Sequence, residues 1–152
     1  MTKKDMICDV DIYFEDKISM VKAMIDTGNL LKEPITKKAV IVVEGKEIKE
    51  LLPECIIENA DQIISGKVNV SEKYIPKITL VPFVSLGKEN GMLLGLRIDK
   101  VVIKHLEEEF EHENIILGVY NKKLSKNNMY NALIGLEMLE GRTNEYIRNV
   151  KI

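Results

Sequence analysis

From position 6 to position 14 apolar residues fall on every second place, Met6, Cys8, Val10, Ile12 and Phe14, with Asp9 and Asp11 between them. That period puts one row of side chains on one face and predicts a half-buried strand. Glu15, Asp16 and Lys17 supply a turn, and ISMVKAMI (18–25) reads as a second strand. The pair forms a hairpin that delivers Asp26 at its far end. The run AVIVV (39–43) is β-branched and unbroken, the pattern of a strand covered on both faces. The pattern then changes: 46–52 and 54–64 carry helix formers with apolar residues three and four apart, interrupted by Pro53 and closed by Gly66. One or two short helices are expected there.

KITLVPFV (77–84) and MLLGLRI (92–98) flank Gly87, Lys88, Glu89, Asn90 and Gly91. Asn-Gly between apolar runs is a hairpin signal, because both residues tolerate positive φ. VVIK (101–104) and IILGVY (115–120) are separated by the acidic HLEEEFEHEN, which suits a hairpin arm or a short helix. ALIG (132–135) leads into LEMLEG, read as a short helix, and YIRNVKI (146–152) closes the chain as a strand. Many short strands with turn residues between them predict a mostly β fold, a barrel or sandwich, with one to three short helices. No repeat or linker divides it, so 1–152 is expected to be one domain.

The length of 152 residues allows a proper core, about two-thirds of the unfolded surface being buried at this size. Charged residues make up 30% of the chain with a formal net charge of −2, and lysines are balanced by glutamates throughout. No basic stripe suited to phosphate neutralisation is present, which argues against nucleic-acid binding. Cys8 and Cys55 form no metal-spaced pair and no disulfide framework, which suits a reducing cytosol. No apolar run approaches the length that crosses a bilayer, so this chain is expected to be soluble.

Asp26, Thr27, Gly28 and Asn29 follow the second strand. Asp, Gly and Asn are residues a tight turn selects on conformational grounds alone. Their setting adds to this: two strands lead into the acid, a glycine-tipped hairpin follows at 87–91, and Leu133, Ile134 and Gly135 precede a short helix. This order resembles the retropepsin-like aspartic proteases, in which a strand ends in Asp-Thr/Ser-Gly, a hairpin flap follows, and a hydrophobic-hydrophobic-Gly segment crosses behind the catalytic loop. More narrowly, AMIDTGNLLKEPITKKAVIVVE and VPFVSLGKENGMLLGLRIDKVVI are similar to the C-terminal domain of the sporulation sigma-E factor-processing peptidases of endospore-forming bacteria.

The resemblance implies a retropepsin-like barrel and an aspartic endopeptidase that removes the pro-segment of a sporulation sigma factor precursor. It also implies an N-terminal multi-spanning membrane domain absent from this chain, a location at the cytoplasmic face of the membrane at the sporulation septum, and triggering by a secreted signalling protein through that membrane domain. Lys3 and Lys4 then read either as linker to it or as solvated charge. No cofactor or metal is implied. Such hydrolysis needs one carboxylate to take a proton from water while a second, protonated, polarises the carbonyl. Two carboxylates about 3 Å apart cannot both ionise, the aspartic-protease pair being the standard instance.

One Asp-Thr-Gly occurs here, so the second acid is expected from a symmetric partner, Asp26 of each copy meeting across a two-fold axis in a homodimer. Asp61 and Asp99 lack such a glycine turn. By resemblance, Thr27 locks the two loops through its hydroxyl, Gly28 leaves room for water and substrate and takes a backbone conformation costly for other residues, and Asn29 caps the turn or donates to the carboxylate. Gly87 to Gly91 would be the flap, hinged at its two glycines over an extended substrate. The rival reading is a non-catalytic β-barrel module that binds a partner, with DTGN as a structural turn. His105 and His112, seven apart among glutamates, invite a metal reading, but without a third placed ligand a solvated acidic face is expected instead.

Overall fold

The alternation at the start of the chain becomes β1 (Ile7–Phe14), which directs Cys8, Val10, Ile12 and Phe14 inward. The computed structural model describes residues 3–28, 32–83 and 91–140. Antiparallel to β1 runs β2 (Lys17–Ile25), with Cys8 opposite Ala23 and Val10 opposite Val21. This register buries Ser19, Val21, Ala23 and Ile25, while Ile18 and Met20 face outward, 49% and 76% exposed. Register outweighs side-chain polarity here, since a slip by one residue would turn Lys22 into the core.

β3 (Val40–Glu44) is buried at each position. It lies between β6 (Glu108–Tyr120), to which it is parallel, and β7 (Ala132–Ile134), to which it is antiparallel. β4 (Ile78–Phe83) pairs with the first half of β5 (Gly91–His105), whose second half pairs with β1. The strand order β1-β2-β7-β3-β6-β5 therefore closes back on β1 as a six-stranded barrel, with β4 appended at the margin of β5.

The two apolar runs 92–98 and 101–104 are thus one strand of 15 residues. The acidic stretch after it is a hairpin arm, turned at Leu106 and Glu107 with φ of 49° and 69°.

The helical stretch is shorter than its sequence suggests. Residues 46–52 give only a 3-10 turn, Gly45–Ile48, and the rest splits at Asn59 into α1 (Glu54–Glu58) and α2 (Ala60–Ile64). Pro53, with no N–H to donate, stands at the N-cap of α1. Gly66, at φ +79°, ends the segment. The expected C-terminal helix is likewise a 3-10 turn, Leu136–Leu139. The strand expected at 146–152 lies outside the described residues.

Two apolar clusters hold the sheet. The larger fills the barrel with Phe14, Ile41, Val43, Leu94, Leu96, Ile103 and their neighbours. The second contains Val40, Val42, Val81, Leu93 and Ile116. Val40 and Val42 serve one cluster and Ile41 and Val43 the other, which explains the unbroken apolar run at 40–43. Each such aliphatic side chain contributes about 1.5–3 kcal/mol on burial.

Candidate active site

β2 stops at Ile25, and the next amide, that of Asp26, donates to the carbonyl of Ile134 at 2.8 Å. This extends a parallel ladder in which Met24 lies beside Leu133 and Ile25 beside Ile134. Leu133, Ile134 and Gly135 therefore stand directly beside the strand that ends in the acid. Asp26 is half-buried, whereas Thr27 and Gly28 are exposed. Oδ1 of Asp26 accepts the Gly28 N–H at 3.0 Å, an Asx turn that fixes the carboxylate against its own loop.

Gly28 lies outside the left-handed region, which Gly66 alone among the described glycines occupies. The expected costly backbone at Gly28 is therefore not found. A Cβ at this position would stand 3.5 Å from Asp26 Oδ1, in ordinary contact with the carboxylate. Asn29 and, of the expected flap, Gly87, Lys88, Glu89 and Asn90 lie outside the described residues. Gly91 opens β5 opposite Phe83, and the arms β4 and β5 on either side are antiparallel.

Behind the loop, Gly135 begins the 3-10 turn Leu136–Leu139, and Met138 N–H donates back to the Gly135 carbonyl at 3.1 Å. Met138 is buried, and its carbonyl oxygen lies 2.8 Å from Nε2 of His112. On the other side of the turn Glu137 pairs with Lys32 at 3.6 Å.

The two histidines depart from the solvated face expected of them: both are partly buried and meet backbone carbonyls, His105 that of Asp5 at 2.6 Å. Position 112 is two residues from the inward Phe110, and that strand phase is the signal that would have found it. Among the described residues no cluster of three metal-ligating side chains occurs.

Residues 1–138, which contain the Asp26 loop, Ile134 and His112, match the model of the peptidase family described as sporulation factor SpoIIGA. The chain belongs to this family. It is 30% identical over 132 residues to the sporulation sigma-E factor-processing peptidase of Priestia megaterium, a match covering 86% of this chain and 43% of that protein. With the protein of the same name from Bacillus subtilis it shares 26% identity over 151 residues, 90% of this chain and 49% of the relative. The chain thus spans about half the length of these relatives. No solved structure matches it. Among its described residues no helix is long and apolar enough to cross a membrane.

Asp99, Asp61 and Glu44 of this SpoIIGA-family chain lie on other elements. Asp99 accepts the Glu15 N–H at 2.7 Å, at the β1–β2 turn. That turn is at the opposite end of the nine-residue β2, roughly 30 Å away at the rise of an extended strand. Asp61 is exposed in the first turn of α2. Glu44 is 2% exposed; one of its oxygens accepts the Leu124 N–H at 2.9 Å and the other lies 3.3 Å from Lys46 Nζ. Burial, with a smaller push from Asp9, raises the Cys8 thiol to about 12, which removes it as a nucleophile. Three clefts of about 440–470 Å³ open elsewhere on the surface, and Asp26 lines none of them.

Proposed function

We propose that this chain is a single retropepsin-like domain, an aspartic endopeptidase that removes the pro-segment from a sporulation sigma factor precursor. Its acid pair is assembled from Asp26 of two copies. The observation that carries this reading is the Asp26 carboxylate itself. It stands partly exposed at a strand end, its Oδ1 accepting the Gly28 N–H and its own amide donating to the Ile134 carbonyl. The names of the relatives support the substrate class.

In the pair, one carboxylate takes the proton of the attacking water while the other, protonated, donates to the scissile carbonyl; the roles then reverse as the amine leaves. The titration belongs to the pair and not to either residue. Thr27 bridges the two loops, the 87–91 hairpin closes over an extended peptide, and Leu133, Ile134 and Gly135 support the loop. No cofactor enters the chemistry. In the longer protein the domain works at the cytoplasmic face of the septal membrane, switched on by a secreted signalling protein acting through the membrane domain.

A second reading has one observation in its favour: the Asx bond of Asp26 is also what a purely structural turn makes, as a non-catalytic binding module would require. Asp26→Asn separates the two, because asparagine Oδ1 accepts the same bond but supplies no acid. The expected outcome is a folded protein that no longer cleaves the precursor. Retained cleavage would refute the peptidase reading. Excess Asp26→Asn mixed with wild type is expected to suppress cleavage by forming mixed dimers, and an unaffected rate would remove the shared pair.

A further inference from the structure

Contacts on both sides tie the Asp26 loop to the segment behind it. The Asp26 amide is held by the Ile134 carbonyl, Ile134 continues through Gly135 into the 3-10 turn Leu136–Leu139, and Glu137 of that turn reaches Lys32, on the chain that leaves the loop. These local contacts do not by themselves fix where the loop sits in the molecule. Its ties to the rest of the fold decide where the carboxylate points.

One tie is the β2–β7 ladder, itself only three residues long on the β7 side. Another is the burial of Met138. The third is polar and directional: His112 Nε2 to the Met138 carbonyl at 2.8 Å. The carbonyl needs a donor because it sits in the last turn of a short helix, where no intrahelical N–H reaches it. His112 comes from β6, which is paired with β5 along its length and is the best-anchored strand available to supply that donor.

We propose that His112 is a positioning residue: through the Met138 carbonyl it fixes the 3-10 turn, and with it the Ile134 carbonyl that sets the backbone of Asp26. The inference rests on the peptidase reading for its consequence to catalysis, though not for the geometry it asserts. Asn121 provides an internal control. It makes the same kind of bond, Nδ2 donating to the Ile57 carbonyl at 2.8 Å, just past the far end of β6 and onto α1, not onto the segment behind Asp26.

The test compares His112→Ala, His112→Gln and Asn121→Ala by amide exchange in two-dimensional NMR, thermal melting and cleavage kinetics on the sigma factor precursor. His112→Ala is expected to speed exchange of the Asp26 amide by about tenfold or more. It should lower kcat by about tenfold with KM little changed. His112→Gln, whose amide donates from a similar place, should recover much of both. Asn121→Ala should melt earlier while Asp26 exchange and kcat stay at wild-type values. Unchanged Asp26 exchange in His112→Ala, or equal effects from both alanine variants, would overturn the assignment. Faster exchange with kcat unaltered would leave the geometry standing and count against Asp26 as the catalytic acid, so the two readings fail separately.

Discussion

Gly95 of β5 and Gly118 of β6 stand opposite each other, and neither position has room for a side chain. A Cβ at Gly95 would come within 2.8 Å of Thr79 Cγ2 and 3.0 Å of Ile116 Cγ2; one at Gly118 would come within 3.0 Å of Leu93 Cδ1 and 3.1 Å of Val40 Cγ1. The bare backbone lets the second apolar cluster settle directly on the sheet. Gly95→Ala is therefore expected to destabilise by about 1–3 kcal/mol through overpacking. Urea unfolding should show a lower midpoint at unchanged slope. Gly66→Ala, with open space around it but φ +79°, should lose only about 1 kcal/mol, from the backbone alone.

The two thiols should differ sharply in reactivity. Cys8 is buried, its Sγ donates to the Ala23 carbonyl at 3.6 Å, and burial holds the thiol at about 12, whereas Cys55 is exposed on α1. At pH 8 a thiol-exchange reagent is expected to titrate one group quickly in the folded protein and two after denaturation. Rapid modification of both in the native state would contradict the packing of β1 against β2.

Leu106 and Glu107 turn the β5–β6 hairpin at φ 49° and 69°, a conformation that costs a residue with a side chain and suits Asn-Gly. Leu106→Asn with Glu107→Gly should stabilise by about 0.5–1 kcal/mol, read as a rise in Tm. The substitution also removes an exposed leucine, so solubility should not suffer.

Glu33 is 2% exposed, and its carboxylate accepts the Thr36 hydroxyl at 2.6 Å together with the Thr36 N–H. These bonds, the hydroxyl first and the backbone second, hold it below the usual carboxylate range. A lowered folded value stabilises above the unfolded pKa of about 4.3 and is lost as pH falls through the folded one. Thr36→Val should therefore be less stable than wild type at neutral pH, with the gap closing in acid. Urea midpoints measured from pH 7 to pH 3 would show it; a gap constant with pH would mean that the hydroxyl acts only through packing.

The barrel was legible in the chain because its strands are strongly patterned: the alternation of β1, the solid apolar run at 40–43 in β3 and the apolar run at the start of β5 match their burial, whereas of the equally apolar β4 only Val81 is buried. Pairing was not. Whether β3 lies parallel to β6 or β7 lies parallel to β2 depends on contacts far apart in sequence, and local periodicity carries no trace of them. The β5–β6 turn was ambiguous because Leu106 and Glu107 are not turn formers, and the strands on either side impose their conformation. Asp26 and the Leu133–Gly135 segment could be singled out by motif, but His112 could not, since its partner is a backbone carbonyl that any residue at 138 would present.

Pro82 sits in β4, the strand appended outside the closed barrel and paired on one side by β5. Closure spares the six barrel strands a raw edge, and among the described residues this leaves the margin at β4 as the place where intermolecular zippering would start. A proline there deletes one rung from the ladder that an unwanted neighbour would need. The same gap would limit a foreign chain to short, interrupted pairing along this margin, a safeguard against fibril growth written into a single imino acid.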